Sequence, residues 1–201
     1  TGARSDLHSG EYGGAVLNPG NALSQIIASL HDDQGRITIP GFYDEVVEWD
    51  AETRAQIAAL PHSDANFQAE LEVAALVGEQ GFSTLERLWI RPTCDVNGML
   101  CGYTDEGAKT VLPNYAMAKV SFRLVPDQTD AKVRELLEAH LQSVTPEGVT
   151  VELKELHGGR PWKASIEGPY FEAAAEALEE AFGTKPVAMG GGGSIPIVVE
   201  F

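Results

Sequence analysis

The sequence predicts an α+β fold, a two-layer βαββαβ sandwich with its helices on one face of a mostly antiparallel sheet. Three observations predict it. Between Tyr115 and Val125 apolar residues fall on spacings of two, Tyr115 and Met117, then Val120, Phe122 and Leu124, with one slip near Ala118. That is the period of a strand with one buried face. Two other stretches repeat at three and four instead, Leu23, Ile26, Ile27, Leu30 and Val133, Leu136, Leu137, Leu141, Val144, the apolar stripe of an amphipathic helix. Strand-like segments alternate with these helices in the order that a βαββαβ unit requires.

Taken in order, Thr1 to Gly14 reads as the end of a strand running into a turn at Gly13-Gly14. Asn18 is an N-cap, with Pro19 at the first position of the first stripe helix. Asp32-Asp33-Gln34-Gly35 ends that helix, and Arg36 to Ile39 is a short strand stopped by Pro40. Residues 41–82 hold two helices, about Ala51–Leu60 and Asn66–Val77, and read as an insertion between strands. Leu85 to Ile90 predicts a strand, broken by Arg91-Pro92. Cys94 to Tyr103 is strand-like around Asn97-Gly98, a hairpin-turn dipeptide. After Pro126, Thr129 caps the second stripe helix, and Val149, Val151, Leu153 and Leu156 mark a last strand. A boundary falls at His157-Gly158-Gly159-Arg160-Pro161-Trp162, so that 1–160 makes one domain and 161–201 begins another. In that second part Pro169 opens a helix with Phe171, Ala174, Ala175, Leu178 and Phe182 on one face. Gly190 to Gly193 then lead into an apolar strand, Ile197 to Phe201.

With 201 residues and 43% hydrophobic content the chain can bury a real core. Acids outnumber bases 30 to 14, a formal charge of −16. No basic run exists, which argues against nucleic acid or an anionic membrane as a partner. No apolar run approaches the ~20 residues of a membrane span. Cys94 and Cys101, seven apart, could face each other across a hairpin. Two cysteines make no disulfide framework, and free thiols of a cytoplasmic protein are the expectation. The first residue is Thr and the last five are apolar strand, so a fragment of a longer protein is expected.

Candidate chemistry is sparse when each motif stands alone. Asp6-Leu7-His8-Ser9-Gly10 sets a His beside small turn residues, where a surface or satisfied His is the ordinary reading. As a metal site it offers two ligands where a catalytic zinc needs three and a water. His31-Asp32-Asp33 and His62-Ser63-Asp64 are equally incomplete and fit helix ends. Arg123 near the end of the central strand needs a partner, because an unpaired buried charge is expensive; the local reading is an ion pair with a surface carboxylate. The four glycines lack the Lys of a P-loop and the spacing of a dinucleotide fingerprint. They would let the backbone approach a ligand closely, presenting Ser194 to an anionic or carbonyl group. Ser194 has no Gly-x-Ser-x-Gly frame, which disfavours serine-hydrolase chemistry.

Five segments stand in the order seen in one family. They are Arg4 to Gly10 with Gly13-Gly14, Gly107 to Pro113, Phe122 to Pro126, His157 to Trp162, and Gly192 to Pro196. The chain resembles the two-metal (zinc) dipeptidases and carboxypeptidases, in the branch of the cytosolic nonspecific dipeptidases. The resemblance implies a ferredoxin-like dimerisation, or lid, domain over 1–160 and a partial return into a catalytic α/β domain over 161–201. It implies that His8 is catalytic, crossing a homodimer to stabilise the oxyanion of the partner's site, and that Thr110, Arg123 and Ser194 bind substrate. It places His157 near that site. Gly190-Gly191 stand where the family usually carries Arg-Glu. The family's metal ligands lie outside this stretch, so the resemblance implies two divalent ions, zinc or manganese, in the parent and none bound here. The substrate implied is a dipeptide or an N-acyl amino acid. Two other readings stay open: a stand-alone ferredoxin-like module that binds a ligand without catalysis, and an interaction domain that only dimerises.

Overall fold

The computed structural model describes residues 1–191. A short strand β1 (Leu7–His8) runs into a single-turn helix α1 (Ser9–Tyr12), followed by α2 (Pro19–Ala28). Three helices come next, α3 (Ala51–Ala58), α4 (Asp64–Leu71) and α5 (Thr84–Trp89). Strands β2 (Thr93–Cys101), β3 (Val111–Leu112) and β4 (Ala116–Arg123) precede α6 (Asp130–Val144) and α7 (Pro169–Phe182). The α+β class holds.

The two stripe helices start where their caps place them. The Asn18 side chain accepts from the Gly20 N–H at 2.8 Å, and the Thr129 hydroxyl from that of Lys132 at 3.3 Å; each satisfies an orphan donor of the first turn. Their apolar faces close over β4. Leu30, Ile37, Ile39, Phe42, Cys94, Val133 and Leu137 form the buried cluster, with Val120, Phe122 and Leu124 packed against it. Alternation along β4 is unbroken: Ala116, Ala118, Val120 and Phe122 turn inward, while Met117, Lys119 and Arg123 are exposed. The slip expected near Ala118 is therefore absent, and Tyr115 and Met117 belong to the outer face.

Among the described residues the strands form two antiparallel pairs, β1 with β3 and β2 with β4, rather than one continuous sheet. The strand expected at Arg36–Ile39 is reduced to a single antiparallel bridge, Ile37 with His31. Its donors go elsewhere, the Arg36 N–H to the Asp32 carboxylate at 2.9 Å and the Ile37 N–H to the Tyr43 hydroxyl at 3.1 Å. No ladder can claim an N–H already taken. The strand expected from Val149 is likewise not a ladder; Thr150 exchanges backbone hydrogen bonds with Thr1 and the pairing stops there.

Two further expectations are corrected. Leu85–Ile90 is helical, because Ser83 and Glu86 form a capping box in which each side chain accepts from the other's backbone N–H. Ser-x-x-Glu is a helix-start signature that outranks a short apolar run. Asn97-Gly98 is no hairpin turn; β2 runs straight through it against β4, from Thr93↔Arg123 to Cys101↔Ala116, with a bulge between Val96 and Gly98. The two cysteines thus share one strand, and both are free. Burial pushes the Cys94 thiol up to about 12, and the Asp95 carboxylate adds to the shift.

Residues 151–191 pack differently. Helix α7 begins at Pro169 and ends on Gly183 in the left-handed conformation, with no buried residue. Its Tyr170 is 89% exposed and Phe182 77%. The expected strand Ile197–Phe201 lies outside the described residues.

Candidate functional site

Pairing of β1 with β3 sets His8 opposite Val111, and the Ser9 N–H donates to the Thr110 carbonyl at 3.1 Å. Residues separated by 102 positions therefore meet, and the His8 Nε2 lies 3.0 Å from the Thr110 Oγ1. On its other side the ring accepts at Nδ1 from the Gly10 N–H, 3.1 Å away, as the N-cap of α1. A third tie braces the same end of the molecule: the Asp6 carboxylate accepts from the Asn114 N–H at 2.9 Å, joining β1 to the turn between β3 and β4. His8 and Thr110 are both exposed. The pair is held firmly yet open to a ligand.

Arg123 is not brought to this pair. It closes β4, paired with Thr93 at the far end of the ladder from Ala116. No ion pair forms on it among the described residues, which corrects the expectation of a surface carboxylate partner. Its side chain is exposed and lines a cleft of about 1480 Å³ together with Trp49, Arg91, Asp95, Arg160 and Trp162. The buried indole N–H of Trp49 has no hydrogen-bond partner among the described residues.

His157 is exposed and accepts or donates no hydrogen bond among the described residues. Beside it Gly158 lies so close to α6 that an added Cβ would meet the Asp130 carboxylate at 2.3 Å. Ser194 lies outside the described residues. His31 lines the same cleft as Arg123, while His62 lies against Asp64 at 2.9 Å.

One polar cluster escaped the sequence reading. Glu79, 7% exposed, takes two hydrogen bonds from Arg91, Nε to Oε2 and Nη2 to Oε1, both at 2.7 Å. Arg36 adds a third at 3.1 Å. The Arg91 guanidinium sits over the Phe82 ring, 4.2 Å from its centroid. Burial raises the nearby Tyr43 phenol, against the pull of the Ile37 N–H. Arg91 and Pro92 lead directly into β2, so this node fixes the end of the ladder where Arg123 stands. Nearby, burial pushes the Glu86 carboxyl up, but its bonds from Arg54 and from the Ser83 backbone and hydroxyl outweigh that and hold it low.

Among the described residues no three His, Cys, Asp or Glu side chains converge as metal ligands, so they do not fit a divalent centre. Nor is any described helix long and apolar enough to cross a membrane.

A family model described as the peptidase dimerisation domain matches residues 1–149. The Beta-Ala-His dipeptidase of Rattus norvegicus is 29% identical over 199 residues, covering 98% of this chain and 40% of that protein. The Cys-Gly metallodipeptidase of Candida albicans is 30% identical over 205 residues, covering 100% and 42%. A solved M20 family metallo-carboxypeptidase from Sulfolobus solfataricus superposes with a TM-score of 0.81 at 35% identity, over 97% of this chain and 44% of that one. Human carnosine dipeptidase 1 gives a TM-score of 0.81 at 30% identity, over 98% and 42%. The chain spans about two fifths of the length of the curated relatives it matches.

Proposed function

Since the chain belongs to the M20 peptidase dimerisation domain family, we propose that it is the dimerisation and lid part of a metal-dependent dipeptidase or a related amidohydrolase. One observation carries this reading. His8 and Thr110 form an exposed pair just ahead of β4, while the exposed guanidinium of Arg123, without an ion-pair partner among the described residues, stands at its other end. At ~3.3 Å per residue, β4 alone is on the order of 23 Å long, whereas an extended dipeptide spans at most ~7 Å. The two ends of β4 are thus farther apart than one dipeptide is long, which supports a site shared between two copies. Two copies related by a dimer axis can offer both to one substrate, one giving His8 and Thr110, the other Arg123. The outer face of the β2–β4 pair suits such an assembly, because Leu100 and Met117 meet there and are 40% and 42% exposed.

In this reading the scissile carbonyl oxygen, as it becomes negative, is met by hydrogen-bond donors of the His8–Thr110 pair, preorganised where charge develops. Arg123 takes the substrate carboxylate as a two-pronged donor. Ser194 holds the same end of the substrate, and His157 borders the site. The apolar face of α7 packs on the remainder of a longer parent, which supplies the two divalent ions, zinc or manganese, in a cytoplasmic enzyme. The substrate class is a dipeptide or N-acyl amino acid.

The test is His8→Ala in the full-length protein, assayed on dipeptides with its oligomeric state followed by sedimentation. Removing the imidazole from the His8–Thr110 donor pair lowers kcat on the order of 10²–10³-fold, with the dimer intact. Unchanged turnover refutes the reading.

A further inference from the structure

The wiring of His8 has a direction. A backbone N–H can only donate, so the Gly10 amide at 3.1 Å makes Nδ1 an acceptor. The ring proton of the neutral imidazole is then on Nε2, and the Thr110 oxygen 3.0 Å away accepts it. The Thr110 hydroxyl, its oxygen engaged as an acceptor, keeps its own proton to give outward from an exposed position.

Room for this arrangement comes from a missing side chain. A Cβ built on Gly10 would meet the imidazole Cε1 at 2.9 Å and Nδ1 at 3.1 Å. The φ of Gly10 is not in the left-handed region, so the backbone does not demand glycine; the imidazole does. A larger residue forces the ring to shift from its place against the amide.

We propose that Gly10 is a positioning residue for His8: its amide and its lack of a side chain fix the Nε2–H tautomer, so that His8 and Thr110 act as one donor unit ending in the Thr110 hydroxyl. This rests on the catalytic role proposed above, and it assigns Gly10 a function there. Second-sphere hydrogen bonds that set the tautomer of a functional histidine follow the same logic elsewhere in protein chemistry. Because the two side chains act in series, removing either should remove most of what the pair contributes.

The first measurement needs only this chain. Two-bond ¹H–¹⁵N correlation spectra at alkaline pH report the tautomer of each neutral imidazole. The Nε2–H share of His8 should exceed that in the urea-unfolded chain, and Gly10→Ala should return it to the unfolded share with the rest of the spectrum unchanged. An equal share in folded and unfolded chains, or no change in Gly10→Ala, overturns the proposal. Should Gly10→Ala fail to fold, Thr110→Val leaves the backbone of α1 untouched. The Gly10 amide proton must then still shift when His8 is replaced by Ala, and its indifference overturns the assignment equally.

The second measurement uses the full-length protein. Gly10→Ala should lower kcat on the order of tenfold to a hundredfold with KM for the substrate carboxylate unchanged. Thr110→Ser should retain activity that Thr110→Val loses, and His8→Ala with Thr110→Val should cost little more than either alone. Additive losses overturn the single-unit wiring. The two failures are separable: a fixed tautomer with turnover indifferent to His8→Ala sinks the catalytic reading and upholds the geometry, whereas a free tautomer with turnover lost sinks the geometry alone.

Discussion

Helices α6 and α7 have almost the same length, 15 and 14 residues, and each carries an apolar stripe, yet they live in different surroundings. The stripe of α6 is spent inside the molecule, with Val133, Leu137 and His140 buried. That of α7 faces outward, Leu178 at 45% exposed and Phe182 at 77%. Periodicity states that a helix has a partner; it does not state which part of a protein supplies it. The body around α2, β4 and α6 finds its partners here, and the apolar face of α7 does not.

That contrast can be broken by attacking the body first. Arg91→Met leaves Glu79 buried with only the half-exposed Arg36 for company. Removing one partner of a buried pair costs about 3–5 kcal/mol, so the urea midpoint should fall sharply. A change under ~1 kcal/mol would mean that water reaches Glu79 and the node is not closed.

A smaller effect sharpens the picture of the α2–α6 seam. The His140 Nε2 is 3.0 Å from the Ser29 hydroxyl, which itself donates to the Ile26 carbonyl at 2.7 Å and so accepts from the imidazole. Burial lowers the His140 pKa, the Ser29 backbone pulling the other way. The folded state thus binds its proton less readily than the unfolded chain, and stability rises with pH across that window. Acidification from about pH 6.5, the ordinary histidine value, should destabilise the wild type. In His140→Gln the same acid step should cost less; equal pH dependence of the two denaturation curves would exonerate the imidazole.

The smallest effect belongs to α7. Leu178→Ser should move stability by no more than about 0.5 kcal/mol, because little of the side chain's burial is lost. Hydrogen exchange of α7 amides should run ahead of that in α6, as expected where few apolar contacts hold an element. Protection of α7 equal to that of α6 would erase the distinction between the two regions.

Much of the body was legible in the sequence for local reasons. Asn18-Pro19 and Thr129 announce α2 and α6 through their caps, and alternation announces β4. Pro169 marks α7 to the residue. His8 and Thr110 were named separately on a likeness of motifs, and the structure brings them together. What local pattern could not supply was their contact across 102 positions, which depends on the β1–β3 pairing. The Glu79–Arg91 node was hidden for the same reason, since no spacing rule links a loop acid to a base before a strand. Helix α5 is different: Ser83-Thr84-Leu85-Glu86 carries the capping signature in the sequence, but the apolar residues beside it also fit a short strand. Lone-standing segments such as Arg36–Ile39 look like strands until their donors are traced to a carboxylate and a phenol.

The supernumerary residue in β2 works as a phase shifter. Cys94 lies opposite Phe122 and Cys101 opposite Ala116, two positions on the same side of β4. In an unbroken ladder thiols seven places apart would point to opposite sides; with Asn97 taken out of step both point inward, and Cys101 reaches Gly20 on α2, where a Cβ would meet its sulfur at 2.4 Å. One extra asparagine thus lets the two ends of the strand clasp the same layer of helices.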